Sequence, residues 1–128
     1  PTTAGYYTVV VNLDKETVEV NPAMVYGIGD AFGGWDAATE GYKFTENATD
    51  KTMVSPAFIA DADLRIHVAA STLTKFESTD AVDWWQAEFV VLDGNIEYRG
   101  TGDDQARNVT TTGQTVALDF ENGTGTFQ

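Results

Sequence analysis

The sequence predicts an all-β protein, an antiparallel sandwich of about seven to nine short strands built from hairpins. Three observations carry this. Short runs of β-branched and aromatic residues recur along the chain, separated by clusters of Gly, Asn and Asp. Leu64 to Ala70 alternates with a period of two, and Trp85 to Leu92 alternates at first and then becomes apolar on both faces. No window holds an apolar 3.6-residue period for three turns.

In chain order, Thr8 to Leu13 is a β-branched run, and Thr17 to Val20 returns after the polar turn at Lys15-Glu16. Pro22 is a joint, because the residue before a proline is pushed toward extended backbone. Met24 to Ile28 enters the turn Gly29-Asp30-Ala31-Phe32-Gly33-Gly34 and is closed by Trp35-Asp36. The glycines permit positive φ, so a large ring is expected to fold back onto the strand end. Residues 37–43 and 72–79 are each expected to form one helical turn. In Leu64 to Ala70, Leu64, Ile66, Val68 and Ala70 share one face, with Arg65, His67 and Ala69 on the other. Asp93-Gly94-Asn95 is a hairpin signal leading into Ile96 to Arg99. Gly100 to Arg107 is a polar loop, Gln114 to Phe120 a closing strand, and Thr124 to Phe127 its return.

The two ends are alike. Val11-Asn12-Leu13-Asp14 matches Val116-Ala117-Leu118-Asp119 at an offset of 105 residues (116 − 11). Two generic hairpins of shared composition would also give this match. The preferred reading is a tandem-module protein, with residues 1–22 the closing strand pair of a preceding unit or a terminal cap, and residues 23–128 one module.

Composition narrows the function. The 128 residues suit one domain with a single core. Twenty acidic against seven basic residues give a net charge of −13, which repels phosphate backbones and anionic headgroups, whereas a neutral polysaccharide meets no such penalty. Cysteine is absent, removing disulfides, thiolate metal sites and thiol nucleophiles together. No apolar run reaches the ~20 residues that span a bilayer. Any leader or lipid anchor is expected in sequence outside this chain.

Catalytic patterns are lacking. His67 is the one histidine, and it sits mid-strand without a Cys or second His at metal-ligand spacing. No nucleophile elbow, phosphate loop or dinucleotide fingerprint occurs. Among 20 acids some pair always suits a glycosidase, so that signal carries no weight. The expectation is no enzyme, no metal and no cofactor. Aromatic residues are the better candidates. Strand geometry would send Trp84 and Trp85 to opposite faces, Trp85 into the core with Phe89 and Val91, and Trp84 outward with Gln86 and Glu88. An exposed indole is an apolar platform for the C–H face of a sugar ring, while the sugar hydroxyls need polar partners nearby. Trp84 is therefore the first candidate and Trp35 the second. Arg99, Asp104, Gln105 and Lys75 are the expected hydrogen-bonding partners. No pair of exposed aromatics set to cradle a helical glucan is evident along the chain.

The segment "VYGIGDAFGGWD" resembles the opening motif of modules in SusE/SusF-type outer-membrane glycan-binding lipoproteins. "LRIHVA", "DWWQAEFVVLDGNIEYRGTGDDQ" and "TVALDFENGTG" follow in the order of that family. The resemblance implies an immunoglobulin-like or carbohydrate-binding-module-like sandwich that binds oligo- or polysaccharide, starch above all, without catalysis. It also implies the extracellular face of the bacterial outer membrane, a lipid anchor and a TonB-dependent importer as neighbour. A structural spacer or protein-interaction module of the same complex is the alternative.

Overall fold

The structure is a computed structural model describing residues 1–128. Its strands are β1 (Tyr7–Asn12), β2 (Thr17–Pro22), β3 (Val25–Ile28), β4 (Thr45–Asn47), β5 (Thr52–Val54), β6 (Arg65–Val68), β7 (Glu88–Leu92), β8 (Asn95–Tyr98), β9 (Val116–Asp119) and β10 (Thr124–Phe127). The pair β1–β2 stands apart as a two-stranded ribbon, and the others form one antiparallel sheet in the order β3-β6-β7-β8-β10-β9-β5-β4. This sheet curls on itself into the expected sandwich. β8 meets β10 only at Asn95 and Thr124, so the sheet bends sharply there. Its two edges then come together, with a bridge between Tyr26 and Lys43 and the Phe44 amide donating to the Val25 carbonyl at 2.8 Å. Closure leaves little of either edge unpaired.

The core fills the space between the two halves of the sheet. Val25, Leu64, Ile66, Val91, Val116 and Leu118 come from alternate strand positions, and Phe32, Phe44 and Phe58 from the ends and loops. Phe32 is the hub, in contact with Tyr42, Phe44 and Phe58 at centroid distances of 5.6–6.2 Å. Such an aromatic cluster contributes beyond its buried area.

Phe32 reaches the core because the turn after β3 folds back. Gly29 has φ 94° and Gly33 φ 107°. The Gly29 carbonyl accepts the amides of Phe32, Gly33 and Gly34, and the Gly29 amide donates to Gly34. The Phe32 ring then covers Gly27, where a Cβ would lie 2.3 Å from its carbon atoms. The ring on the strand interior is therefore Phe32, whereas Trp35, the ring expected to fold back, lies against Gly29 at the strand end.

Several expectations are met. Asp93 (φ 50°) and Gly94 (φ 79°) form a two-residue turn of the primed type between the paired Leu92 and Asn95. Leu64 and Ile66 are fully buried and Arg65 lies on the opposite face, as alternation requires. Others fail. Residues 72–79 form no helix but an irregular loop closed by a Thr74–Ala81 bridge, and only Glu40–Tyr42 of 37–43 is helical, as a 3-10 turn. β4 and β5 went unrecognised because three-residue strands among polar Thr, Glu and Asn leave no alternation to read.

Gly27→Ala is expected to destabilise the protein by about 1–3 kcal/mol or more, because the added methyl must displace Phe32 from the core. Urea unfolding measures this, and Gly41→Ala, where an added Cβ meets nothing within 4 Å, is the control.

Candidate functional site

The outer face of β3, β6 and β7 carries a row of cross-strand neighbours, Tyr26, His67 and Glu88. Two loops bring indoles to this face. The first follows the Gly29–Gly34 turn and sets Trp35 against Gly29, where an added Cβ would just touch the ring at 3.4 Å. The Trp35 Nε1–H donates to Asp30 Oδ1 at 3.0 Å, and the Arg65 guanidinium lies 5.6 Å from the ring centroid. Trp35 remains 53% exposed.

The second loop supplies Trp84. Trp84 to Ala87 form a 3-10 turn, and β7 begins only at Glu88. Gln86 Oε1 accepts the Asp83 amide at 2.8 Å, which competes with strand pairing at this point. A 3-10 turn places successive side chains about 120° apart rather than on opposite faces. Trp84 therefore tilts toward Trp35, with ring centroids 6.1 Å apart and planes at 55°. Trp85 is not a core residue, as strand geometry had implied. It is half-buried, with the Arg99 guanidinium 5.2 Å from its centroid. The structure thus pairs two accessible indoles that lie 49 residues apart in sequence (84 − 35).

His67 supports both indoles. It is stacked on Tyr26 at 5.7 Å and lies 6.5 Å from Trp84. Its Nε2 accepts the Ala38 amide at 3.2 Å, which pins the loop just after Trp35. An accepting Nε2 requires the neutral ring with its proton on Nδ1. Burial pushes the imidazole below its ordinary value of 6.5, so it is neutral at pH 7. Ala38 itself has φ 51°, a strained conformation for a non-glycine residue that this hydrogen bond helps to hold.

Beneath Trp35 lies a charged frame. Glu88 is fully buried, with the guanidinium groups of Arg107, Arg99 and Arg65 at 3.1, 3.3 and 3.5 Å. Burial pushes the Glu88 carboxyl up, and the three positive charges oppose the rise. Asp104 closes the frame from the 99–107 loop, accepting from Arg107 at 2.8 Å and Arg65 at 3.0 Å. Those hydrogen bonds hold its carboxyl far below the usual carboxylate range.

The candidate residues therefore separate. Trp84 and Trp35 come together at the surface. Lys75 pairs through its Nζ with Asp83, the residue before Trp84, at 3.4 Å. Arg99 points inward as a member of the frame, and Asp104 caps it from the solvent side with its carboxylate still exposed. Gln105 donates to the Arg99 carbonyl at 2.9 Å and borders the outer groove of β7 and β8, away from the indoles. Arg65 is the cation that reaches Trp35. Its period-two position opposite the core was the signal available for it.

An all-β sandwich with an indole pair beside cationic side chains has the makeup of a binding module, and comparison with known proteins gives the family. Residues 24–126 match the family model described as SusF/SusE starch-specific carbohydrate-binding modules. The chain belongs to that family. It is 42% identical over 130 residues to "Outer membrane protein SusF" of Bacteroides thetaiotaomicron, an alignment covering 98% of this chain and 26% of the relative. The crystal structure of SusF from the same organism superposes with a TM-score of 0.81 at 41% identity, over 97% of this chain and 28% of that one. This chain thus spans about a quarter of the length of these relatives.

Two outcomes follow from the frame and the histidine. Glu88→Ala leaves three buried guanidiniums without their common partner and is expected to cost about 3–5 kcal/mol in urea unfolding. For His67, a depressed folded-state value means that the unfolded chain takes up the proton first. Stability is then flat above pH 6.5 and falls as the pH drops through the folded value. Thermal melts between pH 8 and about pH 5, above the ordinary carboxylate range, read this slope, and His67→Gln is expected to flatten it.

Proposed function

We propose that this chain is a non-catalytic starch-binding module of a cell-surface glycan-capture protein, and that α-glucan stacks on Trp35 and Trp84. The observation that carries this reading is the tilt of the exposed Trp35 indole against the half-buried Trp84. Flat parallel rings suit an extended chain, whereas two planes inclined at 55° follow the curvature of a helical α-glucan whose successive glucose units turn. Arg65 stands beside Trp35 as a cationic donor for sugar hydroxyls, and Lys75, paired with Asp83 next to Trp84, is the second. The family description and the SusF relative favour starch over other glycans.

Absence of catalysis is supported by the state of the nearby acids. Glycosidic cleavage needs a free carboxylate pair across the bond. Here Glu88 and Asp104 are engaged by arginines, and Asp30 accepts from Trp35. With two rings and a few polar contacts, affinity per module lies in the micromolar to millimolar range, and several modules on one chain would raise it by avidity. The outer-membrane name of the SusF relative supports a place at the bacterial surface. We extend this to the extracellular face, with a lipid anchor outside the present sequence and a TonB-dependent importer as the receiving partner.

Calorimetric titration with maltoheptaose, and with xylo-, manno- and fructo-oligosaccharides, tests the reading. Saturable binding of maltoheptaose alone is expected, weakened at least about tenfold, or ~1.4 kcal/mol, by Trp35→Ala or Trp84→Ala. Lys75→Ala is expected to have a smaller effect, and Trp85→Phe to leave affinity nearly unchanged. A different sugar binding in place of maltoheptaose would correct the substrate. No binding to any glycan by the folded protein would leave the spacer or interaction role.

A further inference from the structure

One buried side chain touches both halves of the indole site. His67 is 2% exposed in the middle of β6. Its ring meets Tyr26 at 5.7 Å and Trp84 at 6.5 Å, and its Nε2 accepts the Ala38 amide three residues after Trp35. Residues 36–39 have no other hydrogen bond to the sheet, because the bond from Thr39 Oγ1 to the Asp36 carbonyl is internal to the loop. A hollow of about 140 Å³ adjoins the ring, lined by Ala37, Ala38, Ala70, Leu73, Val82 and Trp84. The loop and the Trp84 indole therefore have room to shift if the bond to His67 is lost.

The surroundings offer a proton on this ring no compensation. From β7, Glu88 is the cross-strand partner of His67, but its carboxylate is held by three arginines. On β6 itself the neighbour two residues back on the same face is Arg65, a further positive charge. From β3 comes Tyr26, with Lys43 6.0 Å from its ring centroid and Glu40 paired to that lysine. On the loop Asp36 is exposed, and ahead of Trp84 the Asp83 carboxylate is paired with Lys75. None of these carboxylates is in contact with the imidazole.

An imidazolium carries N–H on both nitrogens and accepts no hydrogen bond. Protonation therefore sets N–H against N–H at Ala38 and charges a group buried among rings. Ala38, at φ 51°, then loses the bond that offsets its backbone strain. We propose that His67 is the positioning residue of the glycan site: its neutral ring holds the Trp35 loop against Trp84, and a proton taken up at Nε2 releases the loop and weakens glycan binding. The proposal rests on the glycan reading above. Glycan then prefers the neutral ring, and by reciprocity bound glycan makes His67 harder to protonate. Because burial sets the folded value below 6.5, affinity is constant above that pH and falls as the pH drops through the folded value.

Calorimetric titration with maltoheptaose between pH 8 and about pH 4.5, on this chain and on His67→Gln, tests it. Glutamine brings an acceptor oxygen toward the Ala38 amide and does not titrate. The two proteins are expected to bind alike at pH 8. The affinity of the unmodified chain relative to the variant is expected to fall at least about threefold by the acid end, a ratio in which the carboxylates common to both cancel. Nitrogen NMR of the imidazole is the second readout, and it decides alone if the variant does not fold. It is expected to place the proton on Nδ1 at pH 8, and saturating maltoheptaose is expected to lower the pH at which His67 titrates. A constant ratio, a titration unmoved by glycan or a proton on Nε2 at pH 8 overturns the proposal and leaves the glycan reading intact. No binding at pH 8 by either protein overturns the glycan reading, and this proposal with it.

Discussion

The seating of Phe32 on Gly27 is the constraint on which the rest depends. The chain leaves β3, reverses through Gly29 to Gly34 and returns one aromatic ring to the centre of the sandwich. That reversal fills the core where the curled sheet would otherwise be hollow. It also delivers Trp35, three residues later, to the outer surface of the same strands. Core packing and presentation of the site are thus two ends of one six-residue turn. Rigidity at the indole follows from close packing beneath it, which loop positions alone do not usually enjoy.

Charge performs a similar service on the other side. A fully buried carboxylate is costly unless paired, and Glu88 is paired three times over. The frame of Glu88, Asp104 and three arginines ties β6, β7, the end of β8 and the 99–107 loop together behind Trp35 and Trp85. It gives a strongly acidic chain a local positive site, where Arg65 faces outward from a strand otherwise committed to the core. Side chains that look like ligands in a polar loop are here spent on holding the loop.

Shared construction extends to the ends of the chain. The same capped four-residue turn occurs in β1–β2 and in β9–β10, but one ribbon has a core beneath it and the other presents valines to water. The SusF relative is about four times as long as this chain.

Local chemistry determined much of this protein. The β-branched runs, the Asp93-Gly94 turn, the inward phase of Leu64 and Ile66 and the glycine-rich reversal after β3 all depend on neighbours a few residues apart, which periodicity and turn preference report. The tertiary structure alone decided how Trp84 points, because a 3-10 turn capped by Gln86 displaced the strand that Trp84-Trp85 otherwise suggests. It alone paired Trp84 with Trp35, turned Arg99 inward, laid Asp104 across the frame from the solvent side and set Arg65 against Trp35. Those outcomes rest on contacts between residues distant in sequence, and on a buried carboxylate whose partners come from three separate segments. Direction and burial of a side chain are properties of the closed sheet, and no stretch of the chain carries them by itself.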